Sequence, residues 1–162
     1  MVGKSNRQTG PKKKSSKQGG PRSAARLAAV QAVYQLEMSE DPKIPAVIAQ
    51  YQRYYLGAEI EGEQYVDADE AMFADITKGT WERREELDAL ISPCLTTEWT
   101  LDRLETIVRA ILRAGAYEIV ARPDVPTAVI INEYIDVAHA FYERSEVSFV
   151  NGVLDKIAKA NR

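Results

Sequence analysis

The chain has 162 residues, 45% of them apolar, with one cysteine and one histidine. That suffices for one domain with a real core, and it excludes an internal disulfide framework and a zinc site built within the chain. The net charge of −3 hides a segregation: residues 1–36 carry eight Lys or Arg and no acid, against 13 basic and 24 acidic residues in the other 126. Such a basic arm on an acidic body is the footprint of polyanion binding, because clustered cations release counterions from phosphates. No apolar run approaches the length of a membrane span, and no apolar stretch follows the basic start as in a secretory signal. The expected setting is the reducing cytoplasm.

Residues 1–20 are polar and basic, with Lys12, Lys13, Lys14 and Lys17 between glycines. They hold too little apolar surface to offset ordering entropy, so they read as a disordered basic tail, and 21–162 reads as the folded domain. Pro21 suits a first helical turn, and Leu27, Val30, Tyr34 and Met38 continue a helix that Asp41-Pro42 stops. A second helix spans about Ile44–Leu56, and Gly57–Val66 reads as a loop.

Asp67, Asp69 and Glu70 open a third helix, where carboxylates meet the positive end of the helix dipole. Its apolar positions run from Met72 to Ile91, with Gly79 either bending it or admitting a close neighbour, and Ser92-Pro93 closes it. A fourth helix carries Leu101, Leu104, Val108, Ile111, Leu112 and Ile119 on one stripe, with Glu105–Arg109 as an i,i+4 pair. After Arg122-Pro123-Asp124-Val125-Pro126, helices follow over about 127–142 and 148–158. No alternating run is long enough for a sheet. The chain reads as all-α, one domain of six or seven helices.

Specific wording then accumulates. The chain carries Arg26, then Ala29-Val30-Gln31-Ala32-Val33-Tyr34, then Tyr117-Glu118-Ile119, Pro126, Ile131-Asn132-Glu133, and Phe149-Val150-Asn151-Gly152-Val153-Leu154-Asp155. In this order and at nearly this spacing, over about residues 22–160, it resembles the NusB family of bacterial transcription antitermination factors. The resemblance implies a fold of two small helical bundles around a long shared helix. It also implies binding without catalysis, with no cofactor and no metal. Family members pair with the small-subunit ribosomal protein NusE and bind boxA RNA of nascent ribosomal transcripts. They join other Nus factors on RNA polymerase.

By the same resemblance Arg22 and Arg26 match basic positions of an RNA-contacting motif, while Ser23 and Ala24 stand where relatives often carry more arginine. Lys12, Lys13, Lys14 and Lys17 form an arm for phosphates or a solubilising extension. Gln31 and Tyr34 match RNA-side positions, the Tyr34 ring serving either as a stacking platform or as core. Phe149 and Asn151 match the second RNA motif, with core packing as the rival for Phe149. Arg113, Tyr117, Glu118 and Glu133 are the candidates for the NusE interface. At Gly152 the apolar period of Val150, Val153, Leu154 and Ile157 continues, so close helix packing is expected there rather than a hairpin. A rival reading is a helical adaptor, or a homodimer, acting through protein contacts only. An accessory domain of a ribosomal RNA methyltransferase is a third, which nothing in the residues favours.

Overall fold

The computed structural model describes residues 20–54, 59–60, 63–64 and 69–162. Among these described residues seven α-helices carry the fold: α1 (Pro21–Met38), α2 (Ile44–Tyr54), α3 (Glu70–Glu82), α4 (Arg84–Ile91), α5 (Thr106–Ala121), α6 (Thr127–His139) and α7 (Arg144–Asn161). A two-residue hairpin, β1 (Glu59–Ile60) with β2 (Glu63–Gln64), interrupts the segment expected to be loop, pairing Glu59 with Gln64 and Ile60 with Glu63. Among the described residues no helix is long and apolar enough to cross a membrane.

Pro21 occupies the first turn of α1, where its missing amide costs nothing. Asp69 caps α3, its carboxylate accepting the Met72 amide at 2.9 Å, while Asp67 lies outside the described residues. α5 is the shared element. Every residue from Ala110 to Ile119 is buried, and the helix packs against α1, α3, α4, α6 and α7. The core follows from this: Phe73, Ile76, Leu36, Ile111, Leu112, Ile130, Leu154 and Ile157 are all fully buried.

Several sequence expectations need correction. The third helix is two, breaking at Arg83 rather than bending at Gly79. The Trp81 carbonyl, which an unbroken helix would offer to the Glu85 amide, instead accepts from the Arg84 guanidinium at 2.6 Å. That guanidinium also lies 3.6 Å over the Trp81 ring. Gly79 has the second role foreseen for it, since a Cβ there would come within 2.3 Å of the Tyr117 ring. Gly152 does not mediate close packing, because a Cβ there would meet nothing within 4 Å; Gly115, facing Leu154, is the tight contact instead. Leu101–Arg103 is a separate 3-10 turn ahead of α5. Arg109 does not pair with Glu105: its guanidinium binds the Leu104 carbonyl at 2.5 Å and the Glu37 carboxylate, joining α5 to α1.

Candidate nucleic-acid interface

α1 divides its residues between the interior and a surface groove. Arg26 lies on the same stripe as Ala29, Val30 and Val33, which are fully buried, and is itself only 4% exposed. Its Nε and Nη2 donate to the two oxygens of Glu118 at 2.7 and 2.9 Å, and Nη1 reaches Glu133 at 3.2 Å. Glu118, 0% exposed, also accepts the Tyr134 hydroxyl at 2.6 Å, and Glu133 accepts Ser23 Oγ at 2.7 Å. Burial alone would lower the Arg26 pKa, but the hydrogen bonds and charge of Glu118 outweigh it and hold the pKa raised. The Tyr134 hydroxyl is pushed well up by burial and by the same carboxylate.

Arg26 therefore commits Nε, Nη1 and Nη2 to carboxylates inside the protein and leaves little of itself open to an RNA strand. The NusE candidates on α5 are likewise enclosed. Arg113 is buried and forks onto Asp88 at 2.8 and 3.0 Å, with Glu37 at 3.0 Å. Tyr117 is buried against Gly79 and donates to Asp75 at 2.8 Å. Burial, and then the Asp75 carboxylate, push its pKa up to about 12. Glu118 is enclosed as described. Of the four, only Glu133 keeps a partly open side chain, in a shallow cleft with Ser23, Leu27 and Asp136. The sequence did hold a clue, for a carboxylate within the buried run of α5 requires an internal cation.

Gln31 and Tyr34 share one groove. One exposed and one half-buried, they line an open groove of about 630 Å³ with Gln35, Met38, Ser39, Tyr51, Ile107 and Phe141. A second groove, of about 430 Å³, holds Phe149 with Trp99, Leu104, Glu105, Val108, Tyr142, Ser145 and Glu146. The two adjoin, since Ile107 and Phe141 line one while Val108 and Tyr142 line the other. Glu105, which accepts the Tyr142 hydroxyl, and Glu146 give the second groove an acidic rim. Asn151 is exposed on α7.

Arg22 is exposed at the start of α1, in a separate cleft with Asp69, Arg122 and Asp124. It lies nine residues from Gln31, roughly 14 Å along the helix. Lys12, Lys13, Lys14 and Lys17 lie outside the described residues. Sequence reasoning missed Tyr51, Ile107 and Phe141 as groove residues, because only the packing of α1 against α2, α5 and the end of α6 assembles them. No cluster of three or more His, Cys, Asp or Glu able to hold a metal occurs among the described residues.

A model of the NusB family matches residues 23–159, from the first turn of α1 to the last of α7. The chain belongs to the NusB family. A relative in Novosphingobium aromaticivorans, named transcription antitermination protein NusB, is 50% identical over 141 residues, covering 87% of this chain and 95% of its own. One of the same name in a Bradyrhizobium strain is 44% identical over 153 residues, covering 94% and 90%. The structure of NusB from T. maritima superposes with a TM-score of 0.72 at 30% identity, over 86% of this chain and 91% of that one. A further match in fold, with a TM-score of 0.66 at 21% identity, is to a structure of the antitermination factors NusB and NusE with double-stranded RNA, over 85% and 96% of the two chains. As a NusB-family chain, this protein matches the family over a span that holds every residue lining the two grooves.

Proposed function

We propose that this chain is a cytoplasmic transcription antitermination factor that binds boxA RNA of nascent ribosomal transcripts jointly with NusE, within a Nus-factor complex on RNA polymerase. The observation that carries this reading is the 50% identity, over 87% of this chain and 95% of the relative, to a transcription antitermination protein NusB. The fold shared with a NusB solved together with NusE and RNA supports it. Its activity is binding, not catalysis.

In this reading Arg22 and the lysines at 12, 13, 14 and 17 attract phosphates without reading sequence. Gln31, Tyr34, Phe149 and Asn151 face unpaired bases, which single-stranded RNA presents for stacking and edge hydrogen bonds. The acidic rim beside Phe149 requires a strand to keep its phosphates outward there. NusE completes the site, and Glu133, with the acidic surface around it, offers charge for a basic ribosomal protein. One observation favours the rival reading of an adaptor working through protein contacts or a homodimer: with Arg26 buried, the basic surface of α1 is thinner than its sequence suggests.

A single experiment separates them. Binding to boxA RNA and to a scrambled RNA is measured at two salt concentrations, with and without NusE. Salt-sensitive binding that prefers boxA when NusE is present is the expected result. RNA binding indifferent to both sequence and NusE, with a dimer persisting in saturating RNA, would select the adaptor.

A further inference from the structure

The outer face of α7 carries a glycine that the fold does not need. Gly152 lies in the middle of an 18-residue helix, exposed, with nothing within 4 Å of the position its Cβ would take. Glycine is the poorest helix former after proline, because ordering it costs the most backbone entropy. Gly79 and Gly115 each lie against a side chain of another helix, and Gly152 lies against none. An exposed helical glycine without an internal neighbour leaves the backbone bare to a close approach from outside the chain.

The residues around it select what approaches. Arg144, Ser148, Gly152 and Lys156 follow one another at four-residue steps, with Asn151 and Lys159 on adjoining rows, and all six are exposed. Asp155, the one carboxylate among them, is paired with Lys159 at 3.0 Å, and Glu146 is turned to the groove of Phe149. The face is therefore cationic and polar on a body in which residues 37–162 carry 24 acidic and 13 basic residues. The exposed residues of α4, by contrast, are Glu85, Glu86 and Ala89. A basic protein is repelled by the α7 face, and an apolar one finds no large apolar side chain on it. A thin anionic chain fits both the charge and the missing Cβ.

We propose that the outer face of α7 is a track for the ribose-phosphate backbone of single-stranded RNA, which crosses the helix at Gly152 between Arg144 at one end and Lys156 and Lys159 at the other. The proposal rests on the RNA-binding reading above and adds Arg144, Gly152, Lys156 and Lys159 to it. Arg144 and Lys156 stand 12 residues apart, about 18 Å along α7. The track is continuous with the groove of Phe149, where the acidic rim of Glu105 and Glu146 turns phosphates outward. A strand leaving that groove passes onto α7, where the Asn151 amide meets a base edge or a 2′-hydroxyl.

The test sets stability against binding in the full chain with NusE. Melting temperatures and affinities for single-stranded boxA RNA with flanking nucleotides are measured for the native chain, Gly152→Ala, Gly152→Leu and Lys156→Gln. Alanine and leucine are better helix formers than glycine, so both variants are expected to melt above the native chain. They are nonetheless expected to bind RNA less tightly, by about threefold for alanine and about tenfold for leucine, as the growing side chain lifts the strand off the helix. Lys156→Gln is expected to lower the salt slope by about 0.7, the value of one single-strand phosphate contact.

Native RNA affinity in Gly152→Leu, with boxA binding intact, would overturn the track and leave the antitermination reading standing. A lowered melting temperature in Gly152→Ala would also overturn it, because the glycine would then serve the fold. So would a loss of NusE affinity while the chain alone binds RNA as before, which would give the face to a protein. Absence of any boxA binding by the native chain with NusE present would overturn both.

Discussion

At the scale of single residues, the buried pairing of Arg26 with Glu118 gives it a part in stability. Arg26→Ala leaves the fully buried Glu118 with the Tyr134 hydroxyl as its remaining partner, and breaking such a buried pair costs about 3–5 kcal/mol. The midpoint of chemical denaturation is expected to fall accordingly, while the salt slope of RNA binding by the folded variant does not change. A slope reduced by about 0.7, the value of one single-strand phosphate contact, would return Arg26 to the interface. Tyr117 supplies a pH dependence. Its pKa rises from an ordinary value near 10 to about 12 on folding, so the native state holds a proton that the unfolded chain releases. That contribution is complete below about pH 10 and is lost as pH rises through 12. Urea midpoints measured from pH 9 to 12 are expected to fall less steeply in Tyr117→Phe than in the native chain; identical profiles would remove Tyr117 from the account.

Among the elements, the glycines show what a linear reading can and cannot supply. Periodicity located the helical stretches, because apolar side chains at helical spacing must share a face, but it ran α3 and α4 together as one helix. It could not tell which glycine lies under a neighbour. Gly79 touches Tyr117, 38 positions away in sequence, whereas Gly152 faces open space despite the apolar stripe around it. Gly79→Ala is therefore expected to destabilise by about 1–3 kcal/mol through overpacking, the ring being tethered at its hydroxyl by Asp75. Gly152→Ala, on an exposed helical position, is expected to stabilise by about 0.4–1 kcal/mol. Thermal melts of the two variants give opposite signs if this is right. The break at Arg83 was hidden for a similar reason. Arg83 and Arg84 are good helix formers, and the interruption comes from what the Arg84 side chain does to the Trp81 carbonyl and ring.

Over the whole molecule, the family and its helical architecture were legible from four short strings of residues, because those strings sit where helices meet. The candidate site was legible only in part. Gln31 and Tyr34 could be chosen for their chemistry, but the enclosure of Arg26, Arg113, Tyr117 and Glu118 could not be read, because burial is a property of the assembled body. The same internal charges have a mechanical result. Arg26 of α1 meets Glu118 of α5, and Glu37 of α1 meets Arg109 and Arg113 of α5. The two antiparallel helices are thus pinned at points 11 residues apart on α1, roughly 16 Å. Sliding by one turn would strand charges at both pins at once, so the pair has a single register. The face that α1 turns outward, groove included, is therefore set before any ligand arrives. The entropic cost of ordering on binding then falls on the RNA strand and the partner protein, with little contributed by this body.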